Sequence, residues 1–137
     1  MAEKLKVRLV TPDRILVDQA VEAVEVPAKN GYIEVLRGHA PLLAEIGAGE
    51  MRLHGGESGD LRYTVARGFV EVLPDRVTIL VEYAQKPEDV DTSAAEAQME
   101  QGQKLWSEAG EDAGKYAHAN EVMAEAEAKI ESAAGRG

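Results

Sequence analysis

One break in this 137-residue chain constrains its fold more than any other feature: at Lys86-Pro87 the apolar period changes from two to about 3.6. Before the break, Leu5, Val7 and Leu9 alternate with Lys4, Lys6 and Arg8, the pattern of a strand with one buried and one wet face. Short β-branched runs follow, separated by turn residues, among them Thr11-Pro12-Asp13, Asn30-Gly31, Gly47-Ala48-Gly49 and Pro74-Asp75-Arg76. Asn30-Gly31 tolerates the positive φ of a tight hairpin, and the stretch from His54 to Gly59 reads as another hairpin tip. Leu61, Tyr63 and Val65 alternate as one strand, and Phe69 to Leu73 and Val77 to Val81 as two more. The expectation for residues 1–86 is an antiparallel β-sandwich of eight to ten short strands.

After Pro87 the chain is rich in Ala, Glu, Gln and Met, residues of high helix propensity. Ala95, Met99, Gly102, Trp106 and Ala109 form one stripe, and Tyr116, Ala119, Met123, Ala126, Ile130 and Ala133 a second, with Gly110 to Gly114 between them. Residues 87–137 are therefore expected to form an antiparallel helical hairpin with Trp106 and the methionines in its seam. Asp89, Asp91 or a Ser93/Glu96 capping box would start the first helix. The seam is mostly alanine, and its few large side chains contribute about 1.5–3 kcal/mol each when buried. Ordering costs about 1–2 kcal/mol per backbone residue, so the hairpin needs the sandwich or a partner to lean on.

Charge follows the same boundary. Residues 1–87 carry 11 Lys/Arg against 13 Asp/Glu, net −2, and residues 88–137 carry 4 against 12, net −8. An acidic chain forgoes counterion release, which argues against nucleic-acid partners, and direct adsorption to anionic membrane is equally disfavoured. With no cysteine, disulfides, thiolate metal sites and a thiol nucleophile are excluded. No apolar stretch approaches the roughly 20 residues of a membrane span, and the first four residues lack a signal-peptide core, so a cytoplasmic chain without membrane insertion is expected.

No catalytic or metal constellation emerges. His39, between Gly38 and Ala40-Pro41, is the best isolated candidate for a base, yet it reads more simply as a turn histidine bonding the backbone. Glu34, Glu45, Glu71 and Glu82 read as outward strand positions, and the paired glycines lack the Lys-Ser/Thr of a phosphate loop. The expectation is a non-enzymatic interaction protein with no cofactor and no metal.

The stretch Gly31-Tyr32-Ile33-Glu34-Val35-Leu36-Arg37-Gly38-His39-Ala40-Pro41-Leu42-Leu43 resembles the Gly-x-x-Gly-x-x-Pro-Gly-His-Ala-Pro-Leu-Leu segment of the epsilon subunits of bacterial F-type ATP synthases. Gly68-Phe69-Val70-Glu71-Val72 with Val77-Thr78-Ile79-Leu80 is similar to that family's Gly-Phe-Leu-Glu-Val…Val-Thr-Val-Leu strand pair, and Tyr116-Ala117 with Ala119 resembles the start of its second helix. The resemblance implies a non-catalytic rotor part of the central stalk, bound to the gamma subunit and resting on the c ring, on the cytoplasmic side of the bacterial inner membrane. The hairpin would be available to reach the alpha and beta subunits. By position in the motif, Asn30, Gly31, Tyr32 and Glu34 would face the ring, and Gly38, His39, Ala40, Pro41 and Leu42 would lie near gamma and the ring.

Departures from the family pattern are Arg37 in place of proline and Glu34 in place of glycine. Where relatives carry Leu-Asp-x-x-Arg-Ala for ATP binding, this chain reads Val90-Asp91-Thr92-Ser93-Ala94-Ala95, keeping Asp91 and replacing the arginine by Ala94. No Lys or Arg lies between Lys86 and Lys104. Weak or absent ATP binding and weak self-inhibition are the expectations. The alternatives are a nucleotide-sensing module, which Ala94 argues against, and a small sandwich enzyme built on His39.

Overall fold

The computed structural model describes residues 4–135. Eight strands are followed by a 3-10 turn and two helices: β1 Leu5–Val10, β2 Ile15–Val21, β3 Ala23–Ala28, β4 Gly31–Leu36, β5 Leu42–Ile46, β6 Gly49–Gly56, β7 Gly59–Leu73, β8 Arg76–Gln85, then α1 Thr92–Ser107 and α2 Ala113–Ala133. The strands form two layers. One runs β2-β1-β8-β7-β5, and the other is built of β4, β3, β6 and the first half of β7. Between them lies a core of Leu5, Val7, Leu9, Val24, Val26, Met51, Leu53, Val65, Val70, Ile79 and their neighbours.

Two features depart from a run of short antiparallel strands. First, β1 pairs with β8 in parallel, Val7 opposite Val77 and Leu9 opposite Ile79. Second, the expected strands around Tyr63 and Val70 are one 15-residue strand, β7, shared by both layers. Its first half turns the odd residues Tyr63 and Val65 inward, and its second half the even residues Val70 and Val72. The change of parity falls at Arg67, a non-glycine residue with φ 58°, followed by Gly68. A Cβ on Gly68 would overlap the Leu80 carbonyl oxygen, so only glycine permits this crossover. A period-two reading ends the strand at Val65 because the parity breaks there, although the hydrogen bonds continue.

Asp91 caps α1, its Oδ1 accepting from Ala94 N at 3.1 Å, and Asp112 caps α2 through Gly114 N and Lys115 N. The helices pack through Ala95, Gly102, Ala119 and Ala126, all buried, with Ala109 buried in the turn between them. Gly102 makes the close approach: a Cβ there would lie 2.5 Å from Met123 Cγ. Spacing places Trp106 in the seam, but it is 49% exposed. The close approach at Gly102 leaves little room for an indole, which instead meets Tyr116 edge-on, ring centroids 5.4 Å apart.

Candidate interaction surfaces

The nine residues singled out by motif do not form one patch. Asn30, Gly31 and Tyr32 stand at the start of β4, where Gly31 has φ 131°. Gly38 to Leu42 follow its far end, roughly 17 Å away at the usual strand rise, with Glu34 exposed between the two groups. Tyr32 is tied inward: its hydroxyl accepts from Glu50 N at 2.9 Å, although the side chain is largely exposed. At the other end, Gly38 (φ 92°) donates from its N–H to the Pro74 carbonyl at 2.7 Å, and His39 N–H to Leu36 O at 3.1 Å, so this loop abuts the β7–β8 turn. His39 Nδ1 meets the Ala40 carbonyl at 2.7 Å, a backbone partner of the kind expected for a turn histidine. Ala40, Pro41 and Leu42 are exposed beside it. Among the described residues no group of three or more His, Asp or Glu is placed to hold a metal.

A second surface escaped the motif reading. On the outer side of the first layer Leu43 is 70% exposed, and Phe69 and Leu80, paired across β7 and β8, are 54% exposed each. Consecutive apolar residues such as Leu42-Leu43 and Ile79-Leu80-Val81 are the sequence sign of a strand that is apolar on both faces.

The hairpin lies against the outer face of the second layer, held by two charge-centred clusters. Glu50, 3% exposed, accepts from Arg62 Nε at 2.6 Å and Nη2 at 2.9 Å, from Arg52 Nε at 3.0 Å and from Ser132 Oγ of α2 at 2.7 Å. Thr64 Oγ1 donates to Ser132 Oγ at 2.6 Å. Burial raises the Glu50 pKa, but these hydrogen bonds, that of Arg62 foremost, outweigh it and bring the pKa to about 2. In the second cluster Glu125 of α2, also buried, pairs with Arg67, with Lys129 Nζ at 2.9 Å and with Gln98 Nε2 at 3.1 Å. Arg67 Nε also donates to Glu82 at 2.8 Å, and Lys129 lies 4.4 Å from the centre of the Tyr83 ring. Burial lowers the Lys129 pKa. The left-handed backbone at Arg67 thus sets the guanidinium between β8 and α2. Nothing in a period-two or helical pattern marks Glu50 and Glu125 as buried, since both occupy ordinary polar positions.

Residues 4–87 match the family described as ATP synthase, Delta/Epsilon chain, beta-sandwich domain. The chain belongs to this family. It is 43% identical over 97 residues to the ATP synthase epsilon chain of Koribacter versatilis, covering 70% of this chain and 67% of that one. To the epsilon chain of Microcystis aeruginosa it is 34% identical over 133 residues, 96% of each. In fold it is similar to a chain of the Euglena gracilis mitochondrial ATP synthase OSCP/F1/c-ring structure, with a TM-score of 0.77, 19% identity and coverage of 96% and 81% of the two chains. A chain of the Tetrahymena thermophila mitochondrial ATP synthase central stalk and c-ring gives a TM-score of 0.67 at 14% identity, covering 96% and 98%. The epsilon-chain likeness at Microcystis length extends through the hairpin, and no helix among the described residues is long and apolar enough to cross a membrane.

Proposed function

We propose that this chain is a non-catalytic central-stalk subunit of an F-type ATP synthase, coupling c-ring rotation to ATP synthesis through contacts with the gamma subunit and the ring. The observation that carries the reading is identity above 40% to epsilon chains across the sandwich. Exposed apolar area at Leu43, Phe69 and Leu80 supports it, because a face of this kind needs a protein partner. The loop Gly38-His39-Ala40-Pro41-Leu42 supplies the stalk-facing contacts, and Asn30, Gly31, Tyr32 and Glu34 supply polar contacts along β4. The subunit sits on the cytoplasmic side of a bacterial inner membrane as a peripheral component.

The hairpin binds ATP weakly or not at all. Asp91 is spent on the α1 cap, Ala94 offers no cation, and the cations of the docking face, Arg62, Arg67 and Lys129, are already paired with Glu50 and Glu125. An acidic hairpin is also poorly suited to an acidic segment of the catalytic head, so self-inhibition is weak. Tagged protein isolated from membranes should bring down gamma and the c ring, and a preparation that carries neither would refute the stalk role.

A further inference from the structure

Between the outer face of the first layer and α2 runs an open cleft of about 1070 Å³. Its floor carries Phe69 and Leu80, and its wall carries Ala117 and Ala124 of α2, both exposed and seven residues apart on one helical face. We propose that this cleft seats a cationic amphipathic helical segment of the stalk partner, so that one partner element touches sandwich and hairpin together. The inference rests on the central-stalk reading above.

Three observations fix the occupant's chemistry. The floor is apolar at its centre, with two large side chains half in solvent, and the wall offers small side chains that let a helix backbone approach closely. A helix about 10 Å across fills about 120 Å³ per residue, so the cleft takes about nine residues, or two and a half turns. The charge is one-sided. Glu45, Glu82, Glu121 and Glu125 line the cleft; Lys29 pairs with Glu45, Arg67 with Glu82 and Glu125, and Lys129 from the same helix also with Glu125, which leaves Glu121 as the carboxylate open to an incoming cation. An incoming Lys or Arg therefore meets Glu121 at the rim of a net acidic lining, whereas an acidic segment would be repelled.

The test uses cysteine labelling, which the cysteine-free chain makes clean. Glu45→Cys reports on the floor and Ala117→Cys on the wall, in full-length protein alone and in complex with the gamma subunit of the same source. Seating in the cleft slows maleimide labelling at least tenfold at both positions. Slowing at only one wall, or at neither, while gamma stays bound overturns the cleft and leaves the stalk reading intact. Failure to bind gamma at all defeats the stalk reading itself. As a second arm, Glu121→Lys should weaken gamma binding at least fivefold at low salt, and unchanged affinity would remove the cationic occupant and with it the proposal.

Discussion

Glu50→Gln removes the carboxylate on which two arginines of the sandwich and one serine of the hairpin converge. The Glu50 carboxylate takes four hydrogen bonds, three from arginines and one from Ser132, and its pKa falls from 4.5 to about 2. At about 1.36 kcal/mol per pH unit this is about 3 kcal/mol of preference for the ionised carboxylate in the fold. Arg62 and Arg52 keep 41% and 32% of their side-chain surface in solvent, so screening brings the figure to about 2 kcal/mol. Because the folded pKa lies below the unfolded one, the stabilisation is complete above about pH 5 and fades as pH falls from 4.5 towards 2. Urea denaturation of wild type and Glu50→Gln across pH 7 to 2.5 should show a gap of about 2 kcal/mol at pH 7 that narrows to a few tenths at the acid end. A gap independent of pH, or a variant as stable as wild type at pH 7, would refute the electrostatic account of the Glu50 cluster.

Other consequences are more local. Gly68→Ala places a Cβ on the Leu80 carbonyl and should cost more than about 3 kcal/mol or prevent folding, read by denaturant titration or soluble yield. Trp106→Ala should cost under about 1 kcal/mol in the same titration, against about 3–5 kcal/mol for a buried aromatic, because half of the indole is in solvent. His54 bonds the Glu25 carboxylate at 2.5 Å, which raises its pKa above 6.5. The stabilisation it contributes is present below pH 6.5 and lost as pH rises through the folded value, so His54→Gln should destabilise more at pH 6 than at pH 9. Calorimetric titration with ATP should give no micromolar binding by the full chain.

The succession of strands and then helices was legible because periodicity reports burial, and both kinds of element bury one face. Leu5, Val7 and Leu9 are fully buried where alternation put them, and Ala119 and Ala126 sit in the helix seam where a 3.6 period put them. Legibility fails where a backbone departs from regular geometry. At Arg67-Gly68 the strand rotates, exchanging inward and outward residues, and the same pairing that alternation predicts as two strands is one. Trp106 failed differently. Spacing placed it on the seam, but Gly102 set an interhelical distance that leaves no room for it, and distance is not written into a hydrophobic stripe.

The candidate surfaces were legible in part as turns, and the reason is energetic. Motif residues such as His39 and Pro41 are recognisable because a turn demands particular backbone geometry, here the φ of 92° at Gly38 and the hydrogen bond to Pro74. Buried carboxylates carry no such local mark. Glu50 and Glu125 become tolerable only because Arg52, Arg62, Arg67 and Lys129 converge from three other points of the chain. Of the contacts to these carboxylates, Arg67 to Glu125 and Ser132 to Glu50 cross between sandwich and hairpin, and they help to hold an alanine-rich hairpin with little apolar area to bury. Charged hydrogen bonds contribute about 1.5–3 kcal/mol each where they are shielded from water, and the docked face concentrates them around two carboxylates. The hairpin's attachment is therefore a property of long-range charge placement, sensitive to single substitutions at Glu50, Glu125 or Arg67, and largely independent of the helical pattern that made the hairpin predictable.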